Sequence, residues 1–141
     1  MCYISVLLSL TMSKLGAAMG AHRLYCHQSF KANKWIQMML VAFQTMGGEV
    51  MRKISKFHFI IFYRLQSQVL FQNSVFVWTR VHRQHHKHTD TDADPHNSKR
   101  GFFFCHMGWI IFEEHPELLK MKRTIDMSDL MRQPIVMFQK K

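Results

Sequence analysis

His82-Arg83-Gln84-His85-His86 decides how the rest of the chain is read. Imidazoles at i, i+3 and i+4 stand on one face of a helix, so all three can point at one centre. Well upstream, His22-Arg23-Leu24-Tyr25-Cys26-His27 supplies a second pair. On an α-helix the spacing i, i+5 leaves about 140° between side chains. That pair therefore needs a helix end or a bend to converge. Imidazole clusters without thiolates suit iron, copper, zinc or nickel rather than calcium or magnesium. The alternative is a scatter of anion-contacting histidines on a basic surface. Five of the chain's 10 histidines fall in these two clusters, which favours a metal site.

Composition sets the outer limits. With 141 residues the chain has room for one domain. Apolar residues make up 48%, enough for a core or for a membrane-facing surface. A formal charge of +10, from 19 Lys and Arg against 9 Asp and Glu, points to anionic company such as phosphates, an acidic partner or a cytoplasmic membrane face. Nucleic acid is the usual rival, but no helix-turn-helix, zinc-finger or RNP pattern is present, and we expect no nucleic-acid partner. Cys2, Cys26 and Cys105 are odd in number and far apart, which fits a reducing compartment.

Residues 1–21 read as the end of a transmembrane helix. The run Tyr3-Ile4-Ser5-Val6-Leu7-Leu8-Ser9-Leu10 continues into Leu15-Gly16-Ala17-Ala18-Met19-Gly20, lacks the basic start of a secretory signal and just reaches spanning length. Lys14 interrupts it. Arg23, Lys31 and Lys34 follow at once, placing the C-terminal side in the cytoplasm. Lys34 to Met46 is an apolar run of helical length, suited to an interfacial helix with Met38 and Met39 as packing residues rather than ligands. Phe57 to Tyr63 could form a strand or an interfacial helix, and propensity does not decide. Phe71 to His88 regains helical character. Asp90, Asp92, Asp94-Pro95 and Asn97-Ser98 then break it as turn residues. His88 and His96 read either as partners of the cluster or, more commonly, as exposed turn histidines. Gly101 to Phe112 is aromatic enough to pack on a core or lie at a bilayer surface.

With the clusters placed, a resemblance can be stated. Gly20-Ala21-His22-Arg23-Leu24-Tyr25-Cys26-His27 and His82-Arg83-Gln84-His85-His86 resemble the first two histidine boxes of animal, insect-like membrane acyl-CoA desaturases of the stearoyl-CoA Δ9 type. Asp92-Ala93-Asp94-Pro95-His96-Asn97-Ser98-Lys99-Arg100-Gly101-Phe102-Phe103-Phe104, then His106-Met107-Gly108-Trp109, resemble the segment after the second box. Ile125 to Leu130 and Val136 to Gln139 continue the likeness, which covers 15–46 and 71–141 well and 1–14 loosely.

The resemblance implies an all-α, membrane-associated protein with a partial desaturase fold. It would comprise one marginal transmembrane helix end over 1–21 and part of a cytoplasmic di-iron cap over 22–141. It implies O₂-dependent introduction of a cis double bond into a fatty acyl-CoA, with cytochrome b5 as electron donor. An unactivated C–H bond needs a strongly oxidising metal centre while the protein orients the chain. It further implies His22, His27, His82, His85 and His86 as iron ligands. Asn73 and Arg80 would contact the acyl-CoA, and Gln72 and Trp78 would shape the bend of the acyl tunnel. The location implied is the endoplasmic reticulum membrane with the histidines on the cytoplasmic side, among membrane lipid and in an oligomer with its own kind.

Departures from the pattern carry their own expectations. The family's third cluster, H-x-x-H-H, has no counterpart after His115, so we expect the chain by itself not to desaturate. The alternative reading is a catalytically inactive desaturase-like fragment that binds metal or associates with full-length desaturase. Residues 47–70 stand where family members run directly from a Thr-Met pair, here Thr45-Met46, to the Phe-Gln-Asn at Phe71-Gln72-Asn73. They read as a foreign insertion, such as a retained intron. Glu113-Glu114 stands where the family commonly has a basic pair, and two negative charges there repel CoA phosphates. Val81 stands where an acidic residue is usual.

Overall fold

Asn33 starts the longest helix by accepting the Ile36 N–H on its side-chain oxygen at 2.9 Å, the usual way an exposed helix start is satisfied. The computed structural model describes residues 2–55, 74–109 and 112–140. In chain order the elements are α1 (Cys2–Leu15), a first π-helix (Gly16–Cys26), α2 (Lys34–Ser55), α3 (Val75–Lys87), a 3₁₀ turn (Ser98–Arg100), a second π-helix (Phe104–Gly108), α4 (Pro116–Lys122), α5 (Ser128–Met131) and α6 (Pro134–Lys140). Among the described residues there is no strand, in agreement with the all-α expectation.

These elements fall into two compact units, Met1–Thr79 with Ser128–Lys141, and Arg80–Met127. In the first, α1 and the first π-helix pack along α2, and α6 packs on both α2 and α5. Small residues make the approach possible. Gly16, Ala17, Gly20 and Ala21 are all buried, a repeat that puts small side chains along one stripe. Leu40, Val41, Val75, Leu130 and Val136 complete the core. Gln139 ties three elements together. Its carbonyl oxygen accepts the Val75 N–H at the start of α3 at 2.8 Å, and its amide donates to the Thr45 hydroxyl of α2 at 2.8 Å.

The expected span over 1–21 takes the form of the 14-residue α1 continued by the π-helix. Among the described residues no helix is long and apolar enough to cross a membrane. The expected helix over Lys34–Met46 is present but longer, running through Gly47-Gly48 to Ser55. A glycine costs a helix only about 1 kcal/mol, so the pair does not end it. The remainder of the proposed insertion, residues 56–70, lies outside the described residues. Trp35, Ile36, Met38 and Met39 are exposed. Met38, Val41 and Met46 of α2 face Ile135 and Phe138 of α6 across an open apolar groove of about 940 Å³.

The second unit centres on Ala93, Phe104, Leu118, Ile125 and Met127. Arg100 lies over the Phe104 ring at 3.6 Å, while Phe102 and Phe103 are exposed. Gln84 is buried and donates to the Ala93 and Leu118 carbonyls, both at 2.9 Å. It thereby holds the loop after α3 and α4 to the helix that carries the histidines.

Candidate metal centre

Of the first histidine pair, His22 lies on the π-helix and His27 caps its C-terminal end. There each N–H bonds the carbonyl five residues back, and this wider turn brings residues i and i+5 nearer to one face than an α-helix does. His27 N–H donates to the His22 carbonyl at 3.0 Å, and the two Nε2 atoms stand 3.1 Å apart. Their rings meet edge to face, centroids 4.6 Å apart. The convergence that an α-helix denies this spacing is supplied by the wider helical turn. Gln28 then reverses the chain in the left-handed region, at φ 50°. The Ser29 N–H and hydroxyl both return to the Arg23 carbonyl at 2.9 Å. The Gln28 amide donates to Asp129 at 2.9 Å, which fixes the end of the pair against α5. Tyr25, between the two histidines in sequence, is buried and its phenol is pushed up to about 12 by that burial.

The second cluster lies in the other unit, at the end of α3. His82 and His86, one turn apart, bring their Nε2 atoms to 3.1 Å, again edge to face with centroids 4.6 Å apart. The His85 ring is 5.5 Å from His86 and 6.1 Å from His82 between centroids, so the shared face expected of this stretch is present. Two nitrogens each about 2.0–2.1 Å from one metal ion, set near a right angle, lie about 3 Å apart. Each pair therefore already has the spacing of a two-nitrogen chelate, and the all-imidazole donor set suits a first-row transition metal.

The His85 Nδ1 faces Asp94 Oδ1 at 2.8 Å, and Asp94 is buried. Both Asp94 oxygens also accept backbone N–H groups, from His96 at 2.8 Å and from Asp90 at 2.8 Å. His96 is not the exposed turn histidine that is the common case. Its ring meets His85 at 5.2 Å and Trp109 at 4.3 Å between centroids. Burial first, then the neighbouring His85, pushes its imidazole down to about 4. The turn is closed by Asp90, which accepts the Ser98 hydroxyl at 2.6 Å and its N–H at 3.1 Å. These bonds hold the Asp90 carboxyl below the ordinary carboxylate range.

No protein-family model matches the chain. It is 42% identical over 130 residues to the acyl-CoA Δ11 desaturase of Trichoplusia ni, a match covering 92% of the chain and 31% of that relative. It is 40% identical over 139 residues to the stearoyl-CoA desaturase of Capra hircus, covering 99% of the chain and 32% of the relative. The chain is homologous to the animal acyl-CoA desaturases. A further desaturase, from Choristoneura rosaceana, matches at 43% over 130 residues, covering 92% of the chain and 32% of the relative. The chain spans about a third of the length of these desaturases.

Of the four residues the desaturase resemblance assigns to the substrate, Gln72 and Asn73 lie outside the described residues. Trp78 is half-buried and meets the His22 ring edge to face, 5.9 Å between centroids. Arg80 is half-buried, and its Nε is buried with no hydrogen-bond partner among the described residues. Glu113 and Glu114 are exposed, and Glu114 is bridged by Lys122 at 2.9 and 3.0 Å. Asp94, in sequence a turn residue, also reaches His85. An Asp-Pro after a helix is an ordinary turn signal, and only the position of the His85 ring gives it another role.

Proposed function

We propose that this chain is the part of a fatty acyl-CoA desaturase that carries its first two groups of iron ligands. His22, His27, His82, His85 and His86 serve as ligands of a di-iron centre. The proposal rests on one observation. In a chain about 40% identical to proteins named as acyl-CoA desaturases, both histidine pairs hold their Nε2 atoms 3.1 Å apart. Iron held there supplies the oxidising power toward O₂ that removal of hydrogens from an unactivated acyl chain requires. The chain's own residues do the rest. The π-helix and α3 fix the nitrogens in advance, which lowers the cost of assembling the site. Trp78 presents an apolar edge beside His22, suited to directing an acyl chain. Arg80 supplies a cation for the CoA moiety. We place the protein in the endoplasmic reticulum membrane, histidines toward the cytoplasm, with cytochrome b5 supplying electrons.

A second reading, a metal-binding relative that does not desaturate, is favoured by Glu113-Glu114. Among the described residues Lys122 bridges Glu114 alone of the two, leaving a site less attractive to phosphates. The two readings separate in a chimera. Residues 15–46 and 71–141 replace the matching region of the Trichoplusia ni desaturase, expressed in desaturase-deficient yeast. We expect unsaturated fatty acids by gas chromatography, and their loss with His86→Ala. A chimera that accumulates normally in membranes and yields no unsaturated product would favour the second reading.

A further inference from the structure

We infer that Asp94 is a positioning residue for His85. It would fix which ring nitrogen of His85 carries the proton and which is left for a metal. The inference rests on the reading of His85 as a ligand and adds to it a residue outside both histidine clusters.

An ionised carboxylate only accepts hydrogen bonds. Asp94 Oδ1 already accepts the His96 N–H at 2.8 Å and Oδ2 the Asp90 N–H at 2.8 Å, so the carboxylate is oriented by backbone on both oxygens. The contact from Oδ1 to His85 Nδ1 at 2.8 Å is then one in which the ring must donate. In the neutral ring this contact selects the Nδ1–H tautomer, which leaves the lone pair on Nε2. That is the same nitrogen that His82 and His86 present to each other, so all three imidazoles of the cluster offer Nε2. The His85 ring is also fixed laterally, because His96 lies edge-on against it and is itself backed by Trp109. The Asp94 side chain has no solvent exposure, whereas that of His85 retains 27%. The carboxylate is thus enclosed while the ring it holds is reachable. A carboxylate behind a ligating imidazole sets its tautomer and raises its basicity, and its loss costs roughly 10–100-fold in metal affinity.

The variant Asp94→Asn keeps the size of the side chain but removes one acceptor and the charge. Ser98→Ala serves as control, since it loosens the same turn through Asp90 without touching Asp94. Two readouts are taken on the whole chain: the His85 tautomer from long-range ¹H–¹⁵N correlations without metal, and Co(II) affinity from visible absorption. We expect a wild-type Nδ1–H tautomer that is lost in Asp94→Asn, a 10–100-fold weaker Co(II) affinity in that variant, and near-wild-type values for Ser98→Ala. Equal losses in both variants would make Asp94 a merely structural turn residue and overturn the inference. So would an unchanged tautomer and affinity in Asp94→Asn. A wild-type chain that takes up no Co(II) overturns the metal reading itself, and this is seen before any variant is compared.

Discussion

Replacing Gly16 by alanine is expected to destabilise the first unit by about 3 kcal/mol, the upper part of the range for overpacking a core. A Cβ at this position collides with the backbone nitrogen of Gln44. It also comes within 2.8 Å of the Leu40 carbonyl oxygen and 2.9 Å of the Phe43 carbonyl carbon. All three are main-chain atoms of α2, so no rotamer change relieves the contact, and the two helices must separate. Separation also disturbs the site, because Gly16 opens the π-helix whose register aligns His22 with His27. Gly20→Ala is the internal comparison. Its Cβ meets the Leu40 Cβ at 3.2 Å, a side-chain contact that a few tenths of an ångström relieves, so a smaller loss follows. Chemical unfolding of the detergent-solubilised chain measures both. A Gly16→Ala midpoint equal to wild type would show that the helices do not approach as described.

The second large effect falls on metal uptake. Alanine at His22, His27, His82 or His86 is expected to weaken Fe(II) or Co(II) binding by at least about 100-fold. Each change removes a ligand nitrogen outright, which exceeds the 10–100-fold cost of losing a supporting partner. It also leaves the paired imidazole without its chelate partner at 3.1 Å. His106→Ala is expected to change nothing, since that ring is exposed and stacks on Phe102. Uptake should also weaken in acid, because protons compete for the same nitrogens. Anaerobic titration under matched conditions gives the affinities. Equal binding by wild type and the four variants would place the metal elsewhere.

How far the sequence revealed these features depends on how local their causes are. The face shared by His82, His85 and His86 follows from α-helical periodicity alone, and α3 displays it. The pair His22 and His27 could not be placed that way. Its convergence depends on a helix with the i→i+5 pattern, and nothing in Gly20 to His27 announces the wider turn. The small residues Gly16, Ala17, Gly20 and Ala21 were legible as an apolar run, but their function as the close contact with α2 is a tertiary fact. Gly47-Gly48 stands at the start of the stretch that reads as an insertion, yet α2 continues through the pair to Ser55. Asp94 was read as a turn former, which it is. Its second role requires knowing that the chain folds back to place its carboxylate on His85. The likeness to desaturases lies in the order and wording of the motifs, not in the chemistry of single residues. Residue chemistry alone stopped at a histidine-bound transition metal.

The most direct test of the account is iron K-edge X-ray absorption on the chain loaded anaerobically with Fe(II). The account predicts outer-shell scattering characteristic of several imidazole rings, lost when His22, His27, His82 and His86 are all alanine. A spectrum with only oxygen neighbours, or one identical in the quadruple variant, would contradict it.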